Sequence, residues 1–325
     1  MPENTDVWEV FHSSQLGSNI QEVVATAECK VFRMDDVSGE GTMTFYRVFD
    51  GVFLMYNDFH MKTCYSQFSC DNSLLCIDHC REGRIEHRTD SGMLYYMEPG
   101  DMRVDRRVHH TGDMDFPLCH YHGITIGFQV EKAQKAIREA IPAISIDIEV
   151  LANKYSNDAH PFVLRQDSGV EHIFSELYNV PSKIRMDYFK IKVLELLIYL
   201  AALELSEQKD ERPCFYSSQV EKIKAIHTLL TADLTKNYTA EDLSNRFDIS
   251  ASALKNGFKS VYGSPLYTYI RTYKMNFAAS MLKQNKNARI IDVAAKVGYD
   301  NPSKFSAAFR ETMGMTPVQY RNHIR

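Results

Sequence analysis

Two small groups of residues in the last third of the chain carry side chains suited to reading nucleic acids. The first group is Ser252, Lys255, Asn256 and Lys259, and the second is Ser303, Lys304, Ser306, Ala307 and Arg310. Within each group the spacing fits one face of a helix. Lys and Asn side chains can hydrogen-bond to base edges, while Lys, Arg and Ser can hold phosphates. The chemistry that these residues suggest is recognition of double-stranded DNA.

The positions within each group differ in what they can reach. Lys255, Asn256 and Lys304 have the donors and acceptors that base edges require, so we assign them to the bases. The spacing assigns Lys259, Arg310 and Ser303 to phosphates. The alternative is that both groups are ordinary solvated helix faces.

The segment that contains both groups repeats itself, which is a strong indicator of architecture. At an offset of 50, Leu243 and Phe247 match Val293 and Val297. At an offset of 51, the matches are Leu254 with Phe305, Phe258 with Phe309, Gly263 with Gly314 and Tyr269 with Tyr320. Each copy predicts a short helix, a tight turn and a second helix whose outward face is one of the two groups.

Helix start and stop signals lie at matching places in the two copies. Thr239 followed by Asp242 predicts the start of the first helix, and Ser250 predicts the cap of the second. In the other copy Asn301-Pro302 is a cap followed by proline at the first helical position. Gly263 and Gly314 are predicted to end the two second helices.

A long helix is predicted between the copies, beginning at Ser264-Pro265. About 18 residues of helix span ~27 Å, close to one turn of DNA, so this helix could space the two units along a duplex. Its predicted inner face is Leu266, Tyr269, Ile270, Tyr273, Phe277, Ala278, Met281 and Leu282.

Charge separates this region from the rest of the chain. The whole chain has a net charge of -5, but residues 214–325 contain 16 Lys and Arg against 8 Asp and Glu, and residues 1–213 contain 21 against 34. A basic segment that also carries two matching motifs favours a DNA-binding surface over a solvated face.

From Gln219 to Arg325 the sequence resembles the AraC/XylS family of bacterial transcription regulators. The second copy, from Ile291 to Arg310 and on through Gly314-Met315-Thr316-Pro317 and Tyr320-Arg321, follows the family signature almost position by position. The resemblance implies two helix-turn-helix units that read adjacent major-groove segments of promoter or operator DNA. It also implies an N-terminal domain that binds a small-molecule effector and forms a homodimer, and an activator that works with RNA polymerase.

Two residues depart from the family pattern. Ala307 is small where many members carry a longer side chain, which puts direct base reading at that position in doubt. Gly257 lies inside the first recognition helix, where glycine costs ~1 kcal/mol relative to alanine, so we expect a softer helix and less specific binding by the first unit.

The first two thirds of the chain read as strands and then helices. From Cys29 to Phe128 short β-forming runs are closed by turn signals at Asp50-Gly51, Asp90-Ser91-Gly92 and Glu98-Pro99-Gly100-Asp101, which predicts an antiparallel sandwich or small barrel. Helical patterns follow at Glu131–Ala140, at Val170–Leu177 and at Val193–Leu205. The last of these is apolar on nearly every side, which fits a core helix over the strands, the seam of a dimer, or both.

This arrangement is similar to that of family members with a cupin-like barrel, and it gives a predicted α+β fold with four parts. Residues 1–130 form a cupin-like effector-sensing β domain, 131–206 a helical dimerisation segment, 207–218 a linker, and 219–325 a double helix-turn-helix domain. The stretch Ser206–Pro213 is polar, charged and ends in proline, as linkers do.

Histidines and cysteines of the β region were weighed as a metal or redox site. His120 and His122 would share one face of a strand, with Cys76, His79, Cys80, His109 and His110 as further candidates, but regular ligand spacing is lacking. Cys64, Cys70, Cys76 and Cys80 could sense oxidants if they were exposed and acidic, although buried thiols are commoner. We expect free thiols, no metal and no cofactor.

The remaining expectations are coarse. The effector is unknown, and its pocket is expected to draw on Phe45, Phe53, Tyr56, Tyr95 and Tyr96. The chain has no run long enough to span a membrane and no recognisable catalytic motif, so we expect a cytoplasmic protein that is not an enzyme. The competing hypothesis is a cupin-type small-molecule-binding protein or enzyme whose basic tail is incidental.

Overall fold

The structure is a computed structural model that describes residues 8, 16, 19–69, 74–88, 92–107, 109–155, 162–204, 214–285 and 287–323. The chain divides into two compact units, Met1–Arg212 and Pro213–Arg325. Among the residues described, no helix combines the length and apolarity that a bilayer crossing needs. The first unit is rich in β-structure and the second is helical, so the predicted α+β class is confirmed.

Twelve strands of the first unit are described, and all their pairings are antiparallel. They are β1 (Ile20–Ala25), β2 (Cys29–Asp36), β3 (Gly39–Phe49), β4 (Val52–Met61), β5 (Thr63–Ser69), β6 (Leu74–Gly83), β7 (Ile85–Arg88), β8 (Leu94–Met97), β9 (Asp101–Arg106), β10 (His109–Asp115), β11 (Tyr121–Gln129) and β12 (Phe162–Arg165). The main sheet has the order β1-β2-β3-β4-β11-β6-β9-β12, and β10-β5 and β7-β8 form two-stranded sheets.

Tight turns lie where the sequence predicted them. Phe49 pairs with Val52, so Asp50 and Gly51 alone connect β3 to β4, and Gly51 has a φ of 71°. Between β8 and β9 the turn is closed by a hydrogen bond from the Asp101 amide to the Glu98 carbonyl, at 3.0 Å. Of the third predicted turn, Asp90 and Ser91 lie outside the described residues.

Because side chains alternate along the strands, they contribute to two separate hydrophobic cores. On β4, Val52 and Leu54 belong to a core shared with the helices of the first unit. Phe53 and Phe59 belong to a second core, together with residues of the two small sheets. Period-two alternation therefore makes the main sheet apolar on both faces.

Helices of the first unit are α1 (Val130–Ala140), α2 (Ile148–Tyr155), α3 (Ser168–Leu177) and α4 (Arg185–Ala202), with a single 3-10 turn at Ser182–Ile184. The helix predicted over 170–177 is confirmed, with all four of its patterned apolar residues buried. The segment predicted to be helical also contains β12, which pairs with β9 at the edge of the main sheet. A four-residue strand has too little periodicity to show in sequence.

Helix α4 starts eight residues before the predicted Val193 and packs Phe189, Leu196 and Leu200 into the core, which confirms the core-helix interpretation. Ile191 and Ile198 are exposed, so part of the apolar surface of this helix lies outside the core. Leu205 and the predicted linker stretch 206–213 lie outside the described part of the chain.

The second unit contains α5 (Ser217–Ala232), α6 (Ala240–Phe247), α7 (Ala251–Tyr262), α8 (Leu266–Gln284), α9 (Ile290–Lys296), α10 (Pro302–Met313) and α11 (Pro317–His323). Helix α5 thus begins two residues before the predicted start at Gln219. Both predicted helix pairs are present, as α6–α7 and α9–α10, with the long helix α8 between them.

Candidate nucleic-acid interface

The first helix pair is fixed at its ends by local hydrogen bonds. The Thr239 hydroxyl accepts from the Asp242 amide at 3.1 Å, and the Asp242 carboxylate accepts from the Thr239 amide at 2.9 Å, closing the predicted capping box of α6. The Thr239 hydroxyl also donates to the Asp242 carboxylate at 2.7 Å, and this hydrogen bond together with that from the Thr239 amide lowers the pKa of Asp242. Asp248 then turns the chain with a φ of 48°, and Ser250 caps α7.

The inner face of α7 packs tightly, and Gly257 has a packing role there. Leu254 and Phe258 are fully buried, as predicted. Gly257 is also buried, and a Cβ at this position would lie 3.2 Å from Cγ1 and 3.3 Å from Cδ1 of Ile223 on α5. Glycine therefore lets α5 approach the recognition helix, a reason that single-sequence helix propensity does not reveal.

The second helix pair uses different residues for the same geometry. Gly298, with a φ of 76°, follows α9, and a Cβ there would lie 2.6 Å from the Leu234 carbonyl oxygen. The Asn301 side chain accepts from the amides of Ser303 and Lys304 at 2.9 and 3.1 Å, with Pro302 in the first turn of α10. Phe305 and Phe309 are fully buried. Gly263 and Gly314, with φ of 79° and 75°, end α7 and α10 as predicted.

Helix α8 has 19 residues and packs on both pairs, but its inner face differs from the predicted one. Phe277 is exposed, whereas Lys274 and Met275 are buried. Lys274 is accommodated because its ammonium donates to the Asn237 side chain at 3.1 Å, and burial lowers its pKa. Sequence analysis missed this residue because a lysine within an amphipathic helix is normally counted as part of the solvent face.

The residues assigned to DNA lie on the outward sides of α7 and α10. Eight of the nine are exposed: Ser252, Lys255, Asn256 and Lys259 on α7, and Ser303, Lys304, Ala307 and Arg310 on α10. The exception is Ser306, which is half-buried. Each recognition helix therefore presents at least one lysine and one serine to solvent.

An ion pair that sequence analysis missed joins the linking helix to the second recognition helix. The Arg271 guanidinium of α8 donates to both carboxylate oxygens of Glu311 on α10, at 3.0 and 3.2 Å. The partners are 40 residues apart, so no local spacing rule could pair them. Two parallel hydrogen bonds fix the angle between these helices better than a single contact would.

Comparison with known proteins identifies the helical unit. Residues 243–323 match the family model described as a helix-turn-helix domain. An AraC-like transcription regulator from Streptomyces lividans is 33% identical over 96 residues, which are 30% of this chain and 31% of that protein. The transcriptional activator RhaR of Mannheimia succiniciproducens is 22% identical over 131 residues, 40% of this chain and 45% of that protein. The C-terminal unit therefore contains a helix-turn-helix domain and is similar to AraC-like transcription regulators. The chain spans less than half the length of these relatives.

Solved structures resemble parts of this chain as well. The C-terminal domain of the response regulator yesN from Fusobacterium nucleatum is 28% identical, with 32% of this chain and 99% of that chain covered and a TM-score of 0.29. ToxT from Vibrio cholerae is 14% identical, with 83% of this chain and 98% of that chain covered and a TM-score of 0.29.

The first unit contains a cavity between the main sheet and both small sheets. Its empty volume, including the open mouth, is about 830 Å³. Phe45 and Phe53 line it as expected, but Tyr56, Tyr95 and Tyr96 do not. Tyr56 points to the helices instead and donates to the Leu177 carbonyl at 2.5 Å. Five methionines contribute to the wall: Met34, Met43, Met55, Met97 and Met114.

A buried chain of polar groups reaches the same cavity. The Asn57 amide donates to the Thr125 hydroxyl at 3.1 Å, which in turn donates to the Asp78 carboxylate at 2.7 Å. Arg107 pairs with Asp78 and also donates to Asp105 at 3.2 Å. Although burial opposes the charge, these carboxylates raise the pKa of Arg107. Its Nε is buried and has no hydrogen-bond partner among the described residues.

The cysteines and histidines weighed for redox or metal chemistry do not converge. Cys29, Cys64, Cys76, Cys80, Cys119 and Cys214 are free, and Cys70 lies outside the described residues, as do the side chains of His109 and His110. Burial raises the pKa of the Cys64 thiol to about 12 and also raises that of Cys76, which disfavours the thiolates that sense oxidants. His79 is buried against Phe174, with ring centroids 4.3 Å apart, and burial lowers its pKa to about 4.

Proposed function

We propose that the protein is a sequence-specific transcription regulator whose two helix-turn-helix units read adjacent major-groove segments of double-stranded DNA. The observation that carries the proposal is the pair of recognition helices, α7 and α10, each with a buried aromatic face and an exposed Lys/Ser face within one basic unit. A helix of this kind fits the major groove, where base edges are distinguishable.

Within the proposed interface the assigned roles are unequal. Lys255, Asn256 and Lys304 are to contact base edges, whereas Lys259, Arg310 and Ser303 are to contact phosphates. Ser252 and Ala307 complete the two surfaces. Ser306 is half-buried, so we give it a smaller share of the contact.

The length of α8 sets the distance between the two proposed DNA-reading helices, α7 and α10. Nineteen helical residues measure ~28 Å, comparable with the 34–36 Å between successive major-groove segments on one side of a duplex. The Arg271–Glu311 ion pair and the packing of α8 on both helix pairs hold this spacing without DNA.

Binding of the full chain to genomic fragments, sequenced after retention and repeated at several salt concentrations, tests this function. We expect a few promoter fragments with two contacted segments about 10 base pairs apart, and affinity that falls as salt rises. Retention that ignores sequence, and that Lys255→Ala and Lys304→Ala leave unchanged, would overturn it.

We further propose that the regulator is effector-responsive and that its effector occupies the cavity of the first unit. The lining is mainly apolar and includes five methionines and four phenylalanines, which suits a compact apolar molecule because methionine side chains adapt to ligand shape. Arg107 also lines the cavity, and its guanidinium would donate to an acceptor group on that molecule. We therefore propose an apolar effector that carries a hydrogen-bond acceptor and whose different affinity for two states of the protein would change DNA binding.

A cupin-like barrel and a homodimer are proposed for the first unit. Antiparallel strands that wall a cavity from the main sheet and both small sheets support the barrel. Exposed Ile184, Ile191 and Ile198 recur every seven residues along the outside of the α4 region, as at a helix–helix seam, and support dimerisation through this segment. Sedimentation of the wild type and of Ile191→Lys tests the seam.

The remaining partners follow from the proposed role. An activator at a promoter works in the cytoplasm and contacts RNA polymerase, so we propose both. No catalytic role is assigned to the chain.

A further inference from the structure

The outer face of the main sheet carries a cluster of metal-ligating side chains at one end of β4 and β11. Asp58, His60 and His120 each offer a ligand atom, and these atoms all lie within 4.8 Å of one another. The strand register explains the grouping: Asp58 and His60 alternate with buried Phe59 on β4, and Phe59 pairs with Tyr121 beside His120. The cluster lies on the opposite side of the sheet from the cavity-lining Phe59.

Distances within the cluster are close to what a shared ion needs. His60 Nε2 lies 3.1 Å from Asp58 Oδ1, and the imidazoles of His60 and His120 have centroids 4.9 Å apart. Glu82, on neighbouring β6, reaches to 3.5 Å from His120 Nε2. Two imidazoles and one carboxylate, with a second carboxylate adjacent, match the ligand set of zinc sites with an open position.

A solvated surface ion pair does not explain the environment of one atom in the cluster. His120 Nδ1 is buried and has no hydrogen-bond partner among the described residues. A buried imidazole nitrogen that lacks a partner is costly unless something binds the ring. Metal binding to His120 would set the ring's tautomer and orientation, leaving its other nitrogen to a carboxylate such as Glu82.

We propose that Asp58, His60 and His120 form a binding site for a divalent transition metal of the zinc class. Mixed imidazole and carboxylate donors favour Zn²⁺, Ni²⁺, Co²⁺ or Cu²⁺ over Mg²⁺ and Ca²⁺, which prefer all-oxygen sites. The ion would join the end of β4 to the segment preceding β11 on the outside of the sheet. His122, which sequence spacing groups with His120, lies beside the site, and its ring contacts Tyr178 with centroids 5.3 Å apart.

Calorimetric titration of Zn²⁺ into the untagged, chelator-treated full chain tests the site, with Co²⁺ absorption as a second readout of coordination. We expect one equivalent that Mg²⁺ and Ca²⁺ in excess do not displace. Each of His60→Ala, His120→Ala and Asp58→Asn should weaken it by about tenfold or more, since even outer-shell changes cost 10–100-fold. Zn²⁺ should also raise the melting temperature of the wild type but not of His120→Ala.

His172→Ala is the matched control. His172 is exposed and lies 4.0 Å from Glu176 in the same unit, so it reproduces a surface His–carboxylate pair without a third ligand. It should bind Zn²⁺ like the wild type. Binding that is equal in all four variants, or no binding above the level of His120→Ala in the wild type, would overturn the site. His60→Gln serves as a milder replacement if an alanine variant does not fold.

Discussion

The two helix-turn-helix units solve the same geometric problem with different residues. At the end of the first helix a left-handed residue is needed; it is Asp248 in one unit and Gly298 in the other. The Asp248 side chain is exposed and pairs with Lys222 at 3.6 Å, whereas a Cβ at Gly298 would lie 2.6 Å from the Leu234 carbonyl oxygen. The left-handed backbone conformation by itself permits several residue types at this turn, and contacts with nearby residues of the same chain determine which of them fits.

Exchanging the turn residues should give the largest and most asymmetric effect. Gly298→Ala combines a left-handed alanine with a steric conflict, so it should lower the free energy of unfolding by more than about 2 kcal/mol. Asp248→Gly removes strain but also the surface ion pair with Lys222, so it should change the free energy of unfolding by less than about 1 kcal/mol. Chemical denaturation of the full chain, followed by helical circular dichroism, measures both. Equal effects at the two turns would contradict the comparison.

Next in size are the effects at the lysines that we propose contact base edges. Lys255→Ala and Lys304→Ala should each weaken operator binding by about 1–3 kcal/mol, or 5–150-fold, and relax sequence preference in their own segment. Lys259→Ala should instead lower affinity evenly across sequences and reduce the salt dependence. Fluorescence anisotropy with operator fragments altered in one segment at a time separates these outcomes. If Lys255→Ala changed sequence preference only in the DNA segment assigned to α10, our assignment of the two units to the two segments would be wrong.

The helix starts differ as well, with a smaller expected effect. Thr239→Ala opens the capping box of α6 and should cost about 1 kcal/mol. Helix α9 has no side-chain cap at Arg289, which pairs with Asp292 at 2.8 Å on the surface, so Arg289→Ala should cost less than Thr239→Ala. Because its hydrogen bonds lower the pKa of Asp242 below 3.8, the stability that its carboxylate adds is present above that pH and is lost in more acidic solution. Denaturation at pH 7 and at pH 3 checks both statements, and a cost of Thr239→Ala that persists undiminished at pH 3 would argue against the box.

The smallest effect is expected at Gly257. Alanine would add ~1 kcal/mol of helix propensity, but its Cβ would press on Ile223, so we expect a net change below about 0.5 kcal/mol. If glycine only softened the helix, Gly257→Ala would show the full stabilisation and tighter DNA binding. Thermal unfolding and operator affinity of this single variant distinguish the two.

Local signals were the parts of this fold that sequence could predict. Thr239 with Asp242, Asn301 with Pro302 and the Asp50-Gly51 hairpin depend on neighbouring residues, and the structure has all of them. The burial of Phe305 and Phe309 followed from helical spacing. These features need no knowledge of what packs across from them.

Features that depend on distant parts of the chain were missed. Phe277 was predicted inward because it is apolar, yet buried Lys274 occupies the inner side because Asn237 satisfies it. His120 was paired with His122 by spacing, while its closest imidazole partner is His60 on the neighbouring strand. Strand register and helix packing bring such residues together, and neither can be predicted from residue spacing in a single sequence.

The linking helix α8 has a mechanical consequence for operator choice. Its 19 residues include no glycine or proline, and it is fastened to the second recognition helix through Arg271 and Glu311. If both units read DNA, the protein holds its two recognition helices at a fixed distance along the duplex and at a fixed angle around the duplex axis. One inserted base pair between the two segments would turn them by about a tenth of a revolution. The duplex, not the protein, would then have to twist to restore both contacts. A change in the spacing of the two segments would therefore weaken binding by the free energy of deforming the DNA.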